Sequence, residues 1–371
     1  MSATKKIVFI LGAGASQDCG APLMKDFLNV SRDLLLEGKV EKYRIEFEQV
    51  FFAIQKLQKI HSKSLLDLNN IESIYTLFEF SQLINKLPDY PQKDIKKLIA
   101  SLVRVIVSTL EQSILFSIDN SGVFSSSGSY GGFVELLKNL NKYNFESSIL
   151  TFNYDVALDI ALQNSDLTPY YGFDSNIKKS KFCNLFKLHG SLNWVSQKSE
   201  VKVYQVADFL SDAKKDFNSW DNIGRNGPLI LSEKLTNNFS ERSVKQSPTS
   251  FIVPPTWNKS GYHNSLSTIW KKAADELGKA EYIVVIGFSL PETDSFFKHL
   301  FGLGTAGDRL LRKFLVYNPD NSGQVKKRFE SLLGPGAISV FEYLEMDFKT
   351  GLSDISETLT GNKIHRGLMI L

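Results

Sequence analysis

Three side chains in this sequence have the types that proton transfer and sugar recognition require. His189 follows a short apolar run in Lys187-Leu188-His189-Gly190-Ser191, and an imidazole titrates near neutral pH. Asn153 and Asp155 follow another apolar run in Thr151-Phe152-Asn153-Tyr154-Asp155. An uncharged amide holds a hydroxyl group or a water molecule without titrating. Each of the three also has a plainer interpretation, as a buried or turn histidine or as a helix N-cap.

Two glycine turns supply groups suited to phosphate and ribose. Gly12-Ala13-Gly14-Ala15-Ser16 follows the apolar run 7–11, and glycines at such a turn let backbone N–H groups approach a pyrophosphate. It lacks the third glycine of the full dinucleotide fingerprint, so by itself it fits an ordinary tight turn equally well. Near the end of the chain, Gly287-Phe288-Ser289-Leu290 offers a serine hydroxyl for phosphate or ribose. Asn318, after a further apolar run, is placed to meet an adenosine ribose, although both segments also read as simple turns.

The elements that must position these residues alternate between strand and helix. Continuous apolar runs rich in β-branched residues predict buried parallel strands at 7–11, 147–152, 185–188, 282–286, 314–317 and 338–343. Helical spacing predicts helices at 133–140, 154–162 and 266–277. This alternation predicts an α/β fold with a Rossmann-like, mostly parallel sheet flanked by helices. All candidate residues then lie at the carboxyl ends of strands, where open α/β sheets bind their ligands. That agreement favours a dinucleotide site over the plainer interpretations.

The organisation predicted along the chain is a single domain, 1–371, with an insertion. Residues 1–38 and 133–371 would form the α/β core, and residues 39–132 an inserted helical subdomain, since glycine is absent from Lys39 to Ser121. Ser16 is expected to cap a helix that continues to Leu36. The stretch 201–250 has mixed polarity and is expected to be a second insertion or a mobile cover.

Composition limits the classes of partner. The 43 basic and 40 acidic residues give a net charge of +3, so no direct nucleic-acid site is evident. Two cysteines, Cys19 and Cys183, form neither a disulfide framework nor a zinc site, and we expect both to be reduced and buried. No metal site is predicted from histidine spacing. Without a secretory leader or a membrane-spanning run, we expect a soluble, cytoplasmic protein.

Together the motifs resemble those of the sirtuins, in the order GAGxS, TxNxD, HGS, GxSL and an asparagine at a strand end. The resemblance covers the sheet-forming parts of the chain, and it assigns roles to individual positions. It implies a phosphate loop, a catalytic pair with an orienting carboxylate, and adenosine-side contacts. These correspond to Gly12, Ala13, Gly14, Ala15 and Ser16; to Asn153, His189 and Asp155; and to Gly287, Ser289 and Asn318.

The sequence departs at several positions from those sirtuins that are protein deacylases, and these differences narrow the resemblance. The four-cysteine zinc ribbon is missing, Phe152 stands where a glutamine is usual, and Gly20-Ala21-Pro22-Leu23-Met24-Lys25 replaces a Gly-Ile-Pro-Asp-Phe-Arg segment. The chain is therefore more similar to the sirtuin-like NAD+ hydrolases of bacterial anti-phage defence systems.

That resemblance implies an NAD+ glycohydrolase that takes NAD+ as its substrate, uses no metal and causes abortive infection. It implies activation by self-assembly into a homo-oligomer or by a separate partner, such as a hexameric DNA-translocating ATPase or a short Argonaute, because no sensor domain of normal length follows Thr350. Two alternatives stay open: a zinc-less NAD-dependent protein deacylase, and a non-catalytic sensor of NAD+ or ADP-ribose.

Overall fold

The computed structural model describes residues 4–58, 64, 66–118, 124–126, 128–173, 182–197, 200–207, 226–228, 250–253, 263–291, 295–307 and 309–362. Its strands are β1 (Lys5–Leu11), β2 (Leu115–Ile118), β3 (Phe124–Ser126), β4 (Phe145–Thr151), β5 (Thr168–Tyr170), β6 (Phe182–Lys187), β7 (Gly190–Gln197), β8 (Glu200–Val203), β9 (Asn226–Pro228), β10 (Ser250–Ile252), β11 (Tyr282–Ile286), β12 (Lys313–Tyr317) and β13 (Phe341–Leu344). Its α-helices are α1 (Phe27–Leu36), α2 (Arg44–Leu57), α3 (Ile71–Leu83), α4 (Gln92–Ser113), α5 (Tyr130–Lys142), α6 (Ala157–Asn164), α7 (His263–Lys279), α8 (Ser295–Gly304), α9 (Gln324–Leu332), α10 (Pro335–Ile338) and α11 (Phe348–Thr360).

A seven-stranded sheet forms the centre of the described residues, in the order β13-β12-β11-β1-β4-β6-β5. Every neighbouring pair in it is parallel. Val8, Phe9 and Ile10 of the central strand are fully buried, as expected for a strand covered by helices on both faces. The predicted Rossmann-like α/β fold is confirmed, and the predicted strands are present with ends shifted by a few residues.

The strand order creates a switch point at β1. After β1 the chain adds β4 and β6 on one side, and it later returns to place β11 on the other side. Leu11, the last residue of β1, pairs with Thr151 of β4 and Ile286 of β11. The three strands therefore end together, and the loops that follow them meet at one edge of the sheet.

Of the five α-helices described between β1 and β4, α2, α3 and α4 lie within the predicted insertion 39–132. The segment 87–91 separates α3 from α4, and Pro91 is the N-cap residue of α4. In α2 the buried side chains Phe47, Val50 and Ile54 recur at helical spacing, and they pack towards α4. The helices expected from the absence of glycine are thus present. The division of the chain into a core and an inserted subdomain stays a prediction.

Two small antiparallel sheets are additional to the predicted elements. β2 pairs with β3 and with β9, and β7 pairs with β8 and with β10. β7 starts directly after His189, so that turn joins the parallel sheet to a hairpin. Most of the stretch 201–250 lies outside the described residues, at 208–225 and 229–249.

The helix predicted from Ser16 to Leu36 is wrong in its first half. Residues 13–15 and 17–19 form two short 3-10 turns, Gly20 has a left-handed backbone (φ +92°), and α1 begins only at Phe27. Ser16 does not act as an N-cap, because its hydroxyl group hydrogen-bonds to Asp155 and Tyr130 instead. The Ser16 side chain, which was expected to cap a helix next to it in sequence, thus bonds residues that are distant in sequence.

Candidate functional site

A cavity of about 810 Å³ opens at the carboxyl edge of the parallel sheet. It lies at the switch point, where the loops after β1, β4 and β11 meet. The sequence-predicted residues that line it are Ala13, Gly14, Asn153, His189, Gly287, Ser289 and Asn318. Ser16 and Asp155 instead line a small apolar pocket next to it. The structure therefore gathers the candidate imidazole, the candidate amide and both glycine turns around one space.

The glycines of the first loop serve a close contact between two backbones. The Gly14 N–H donates to the Gly287 carbonyl at 2.9 Å. A Cβ atom on Gly12 would lie 2.5 Å from the Cα of Phe288, and one on Gly287 would lie 2.4 Å from the Ala15 nitrogen. Only glycine permits this approach, so the two turns form one interlocked unit.

The hydrogen bonds of this loop differ from those of an open phosphate cradle. Besides the Gly14 bond, the N–H of Ala15 donates to the Gly12 carbonyl at 2.9 Å, and that of Ser16 donates to the Ala13 carbonyl at 3.1 Å. The Gly12 N–H likewise donates to the Ile286 carbonyl at 3.1 Å, so four amides that the motif offered to a pyrophosphate are already bonded within the protein. Ala13 and Gly14 nevertheless line the cavity, and their role in binding stays a prediction.

The orientation of the Asn153 amide follows from its partners. Its Nδ2 donates to the Gly12 carbonyl at 2.8 Å and to Ser16 Oγ at 2.9 Å. A backbone carbonyl only accepts hydrogen bonds, so the atom facing it must be the nitrogen. Both N–H bonds of the amide are used in this way, and Oδ1 is the atom left to meet a ligand. Asn153 therefore offers an acceptor to the cavity.

Ser16 is the centre of a buried network behind Asn153. Its hydroxyl group donates to Asp155 Oδ2 at 2.7 Å, so in the 2.8 Å contact with Tyr130 the phenol is the donor. Burial raises the pKa of Asp155, against the opposing effects of Lys187 and the Ser16 hydroxyl. Burial also raises the pKa of Tyr130 well above its usual range, so this phenol keeps its proton. Asp155 is 4% exposed and does not line the cavity, and Ser16 joins its carboxylate to the Asn153 amide.

His189 is held by backbone and aromatic contacts. Its carbonyl accepts a 2.7 Å hydrogen bond from the Val253 N–H, and its ring packs edge-on to Phe152 with 5.1 Å between centroids. Phe152 in turn stacks on Phe288 at 4.5 Å. His189 is 6% exposed and lines the cavity, so most of this residue is shielded from bulk water.

Asn318 and Asp320, which follow β12, also line the cavity. Asn318 Oδ1 accepts a 3.0 Å hydrogen bond from the Asp320 N–H, which is the turn role foreseen as its plainer interpretation. Its NH2 group is the part left for a ligand. Hydrogen bonds from the Ser322 side chain and the Val325 N–H lower the pKa of Asp320, which keeps its carboxylate ionised. Arg328 donates to the Ser289 carbonyl at 3.1 Å and joins the two loops.

Several residues of this site escaped the sequence analysis. Tyr130 comes from α5, and Asp67, Asn70 and Glu72 line the cavity from the segment that leads into α3. No local pattern marks any of them. Lys187 stands in the histidine motif but received no role, although a charged residue that ends an apolar strand is a signal that could have been used.

Tyr130 provides a direct test of the network behind Asn153. We expect Tyr130→Phe to lower the rate of any reaction at this site about tenfold, because the amide loses part of its support. The loss of one buried hydrogen bond should cost about 1 kcal/mol of the free energy of unfolding. Steady-state rates and urea unfolding measure both. Tyr143→Phe, at an exposed tyrosine just after α5, is the control, and equal rates in the two variants would contradict a role for Tyr130.

Both cysteines are free and buried, as predicted. Burial raises the pKa of Cys183 to about 12, and burial together with Asp18 raises that of Cys19 further. Within the described ranges there is no group of three or more His, Cys, Asp or Glu residues that could hold a metal ion. In the same part of the chain, no helix has the length and hydropathy needed to cross a membrane.

Comparisons with known proteins place the chain beside one group of solved structures. No family model and no curated protein matches the sequence. A Sir2-homologue mutant in complex with 2′-O-acetyl ADP ribose is similar at 14% identity and a TM-score of 0.40, over 96% of this chain and 93% of the other. A complex of Sir2 with a p53 peptide and NAD+ is similar at 12% identity and a TM-score of 0.40, over the same shares. A Sir2-homologue mutant bound to ADP ribose is similar at 13% identity and a TM-score of 0.38, over 99% and 95%. The structural neighbours of this chain are thus Sir2 homologues at low sequence identity.

Proposed function

We propose that this protein is an NAD+ hydrolase that cleaves the nicotinamide–ribose bond to give nicotinamide and ADP-ribose. The observation that carries the proposal is the shared cavity, where the Asn153 amide and the His189 imidazole meet both glycine turns. A volume of about 810 Å³ lies in the upper part of the range for ligand sites. Ser289 and Asn318 add further polar side chains to the lining of this cavity.

The reaction needs a base and a fixed acceptor. The bond between the ribose C1′ and the pyridinium nitrogen breaks, its electron pair leaves with nicotinamide, and positive charge develops on the sugar. Water adds to C1′, and His189 takes the proton from that water or from a ribose hydroxyl group. Asn153 Oδ1 accepts a hydrogen bond from the same group and holds it in line. Because the amide is fixed in advance by Gly12 and Ser16, little reorganisation is needed at the transition state.

Asp155 has a positioning role in this proposal. The sequence placed it beside Asn153 as an orienting carboxylate, and its contacts support that role, since the Ser16 hydroxyl group connects the two side chains. Asp155 Oδ1 also accepts a 3.0 Å hydrogen bond from the Ala157 N–H at the start of α6. The carboxylate thus connects the helix to the loop that carries the amide.

A non-catalytic sensor of NAD+ or ADP-ribose stays the second candidate function. Four amides of the first loop are bonded within the protein, which leaves fewer of them for a pyrophosphate than an open cradle would offer, whether the ligand is cleaved or only bound. The zinc-less deacylase alternative also stays open, because two cysteines exclude only the four-cysteine zinc ribbon.

Incubation of the purified protein with NAD+, followed by chromatography, separates these functions. We expect nicotinamide and ADP-ribose in equal amounts, with no acylated peptide required. Formation of O-acyl-ADP-ribose only when an acyl-lysine peptide is supplied would identify a deacylase. Calorimetric binding of NAD+ without product over hours would identify a sensor.

We further propose that the hydrolase is a restrained effector of anti-phage defence in the cytoplasm, active when it assembles or binds a partner. Unrestrained loss of NAD+ would harm the host, so the isolated chain should be slow. Partners to be tested are a hexameric DNA-translocating ATPase and a short Argonaute. The rate of nicotinamide release should rise with protein concentration or with the partner, and a full rate in the dilute monomer would contradict the restraint.

A further inference from the structure

Lys187 is a buried cation whose hydrogen bonds are all made inside the protein. It is the last residue of β6 and is 1% exposed. Its ammonium group donates to the Asp155 carbonyl at 2.5 Å, to Asp159 Oδ2 at 2.9 Å and to Ser191 Oγ at 2.7 Å. An ammonium group has three donors, and these contacts use all of them. Lys187 does not line the cavity, so direct contact with a ligand is not its role.

Two of the three partners belong to the segments that carry the proposed catalytic residues, and the third, Asp159, lies in α6. The Asp155 carbonyl lies two residues after Asn153, in the loop between β4 and α6. Ser191 lies two residues after His189, at the start of β7. One ammonium group therefore joins the segment with the amide acceptor to the segment with the imidazole.

A second layer of contacts fixes the partners in turn. The Tyr171 hydroxyl group donates to Asp159, and the Ser191 hydroxyl group bonds Asn193 Oδ1 at 2.7 Å. The Leu192 N–H donates to the Tyr154 carbonyl at 2.9 Å, which ties β7 to the same loop after β4. Since a buried charge persists only when it is paired and hydrogen-bonded, this arrangement holds the ammonium group at one place.

We propose that Lys187, with Asp159 as its counter-ion, is a positioning residue that sets the separation between Asn153 and His189. The proposal rests on the function proposed above. It explains why a charged side chain ends a strand that is otherwise buried.

The test removes both charges together. Lys187→Met alone leaves the Asp159 carboxylate buried without its counter-ion and is expected to fold poorly. In the double variant K187M/D159N the charge of Asp159 is removed together with that of Lys187, and the asparagine still accepts the Tyr171 hydroxyl. Asp155 keeps its hydrogen bonds from the Ser16 hydroxyl group and the Ala157 N–H. We expect its thermal unfolding midpoint to stay near that of the wild type, while kcat falls roughly 10- to 100-fold because the two groups lose their alignment. The affinity for ADP-ribose should be unchanged. K313M/E342Q, which removes the exposed pair between β12 and β13, is the matched control.

Different outcomes separate the two proposals. A folded K187M/D159N with wild-type kcat would overturn the positioning role. If the wild type releases no nicotinamide, the proposed hydrolase fails, and a crystal structure of the double variant decides the positioning role by itself. A changed distance from Asn153 Oδ1 to the His189 ring would support it, and an unchanged distance would overturn it.

Discussion

Asn153→Ala is expected to lower the rate of nicotinamide release by roughly 10²- to 10³-fold, because the fixed acceptor at the reacting sugar is lost. Removal of the amide also deletes its hydrogen bonds to the Gly12 carbonyl and to Ser16, which keep their bonds from the Ala15 N–H and the Tyr130 hydroxyl group, so the free energy of unfolding should fall by about 1–3 kcal/mol. The Asn153→Ala variant should therefore be folded and almost without turnover.

His189→Ala should lower the rate of nicotinamide release by roughly 10²- to 10⁴-fold through loss of the general base.

Matched variants separate a chemical effect from a structural one. His299 lies on the exposed face of α8, and His299→Ala should keep the full rate. Circular dichroism and gel filtration check the fold of each variant, and the chromatographic assay gives the rates. Unchanged loss of NAD+ in folded Asn153→Ala and His189→Ala would remove the catalytic assignment of both residues.

The largest effect on stability is expected from Gly287→Ala. At φ +61° an alanine is strained, and its Cβ would lie 2.4 Å from the Ala15 nitrogen and 2.5 Å from the Gly14 carbonyl carbon. Both neighbours are backbone atoms, which yield only if the two turns separate. We expect a loss of about 3 kcal/mol or more in the free energy of unfolding, together with loss of ligand binding.

Gly131→Ala is the matched control for this substitution. Gly131 lies in the first turn of α5, and a Cβ there would have no atom within 4 Å. Because alanine favours a helix over glycine, this variant should gain about 0.5–1 kcal/mol. Urea unfolding followed by circular dichroism compares the two. Equal midpoints for Gly287→Ala and the wild type would show that the turns do not depend on their close contact.

The strands and their carboxyl ends could be predicted because burial on both faces leaves a continuous apolar run in the sequence. The run 282–286, for example, is β11 residue for residue. The meeting of Asn153 and His189 at one cavity followed from that same topology, since parallel strands end at one edge. These features depend on local composition and on a general rule of α/β sheets.

The remaining features depend on pairings that no local pattern records. The Ser16 hydroxyl group serves Asp155 and Tyr130, which lie 139 and 114 residues away in sequence, so its local signal as a helix cap was misleading. The short strands β2 and β9 are likewise paired across a long separation in sequence. Asn70 and Glu72 line the cavity from the start of α3, a helix that packs on α4, and no pattern in their own segment records this position.

The contact between Gly14 and Gly287 has a consequence for biosynthesis. The first turn of the chain stays without its partner until the ribosome has produced β11 and the turn after it. Helices and hairpins built from neighbouring residues can form earlier, because their closure costs less chain entropy. A nascent protein therefore completes this pair of turns only at a late stage of translation, and the proposed hydrolase activity would be withheld from incomplete polypeptides without any inhibitor.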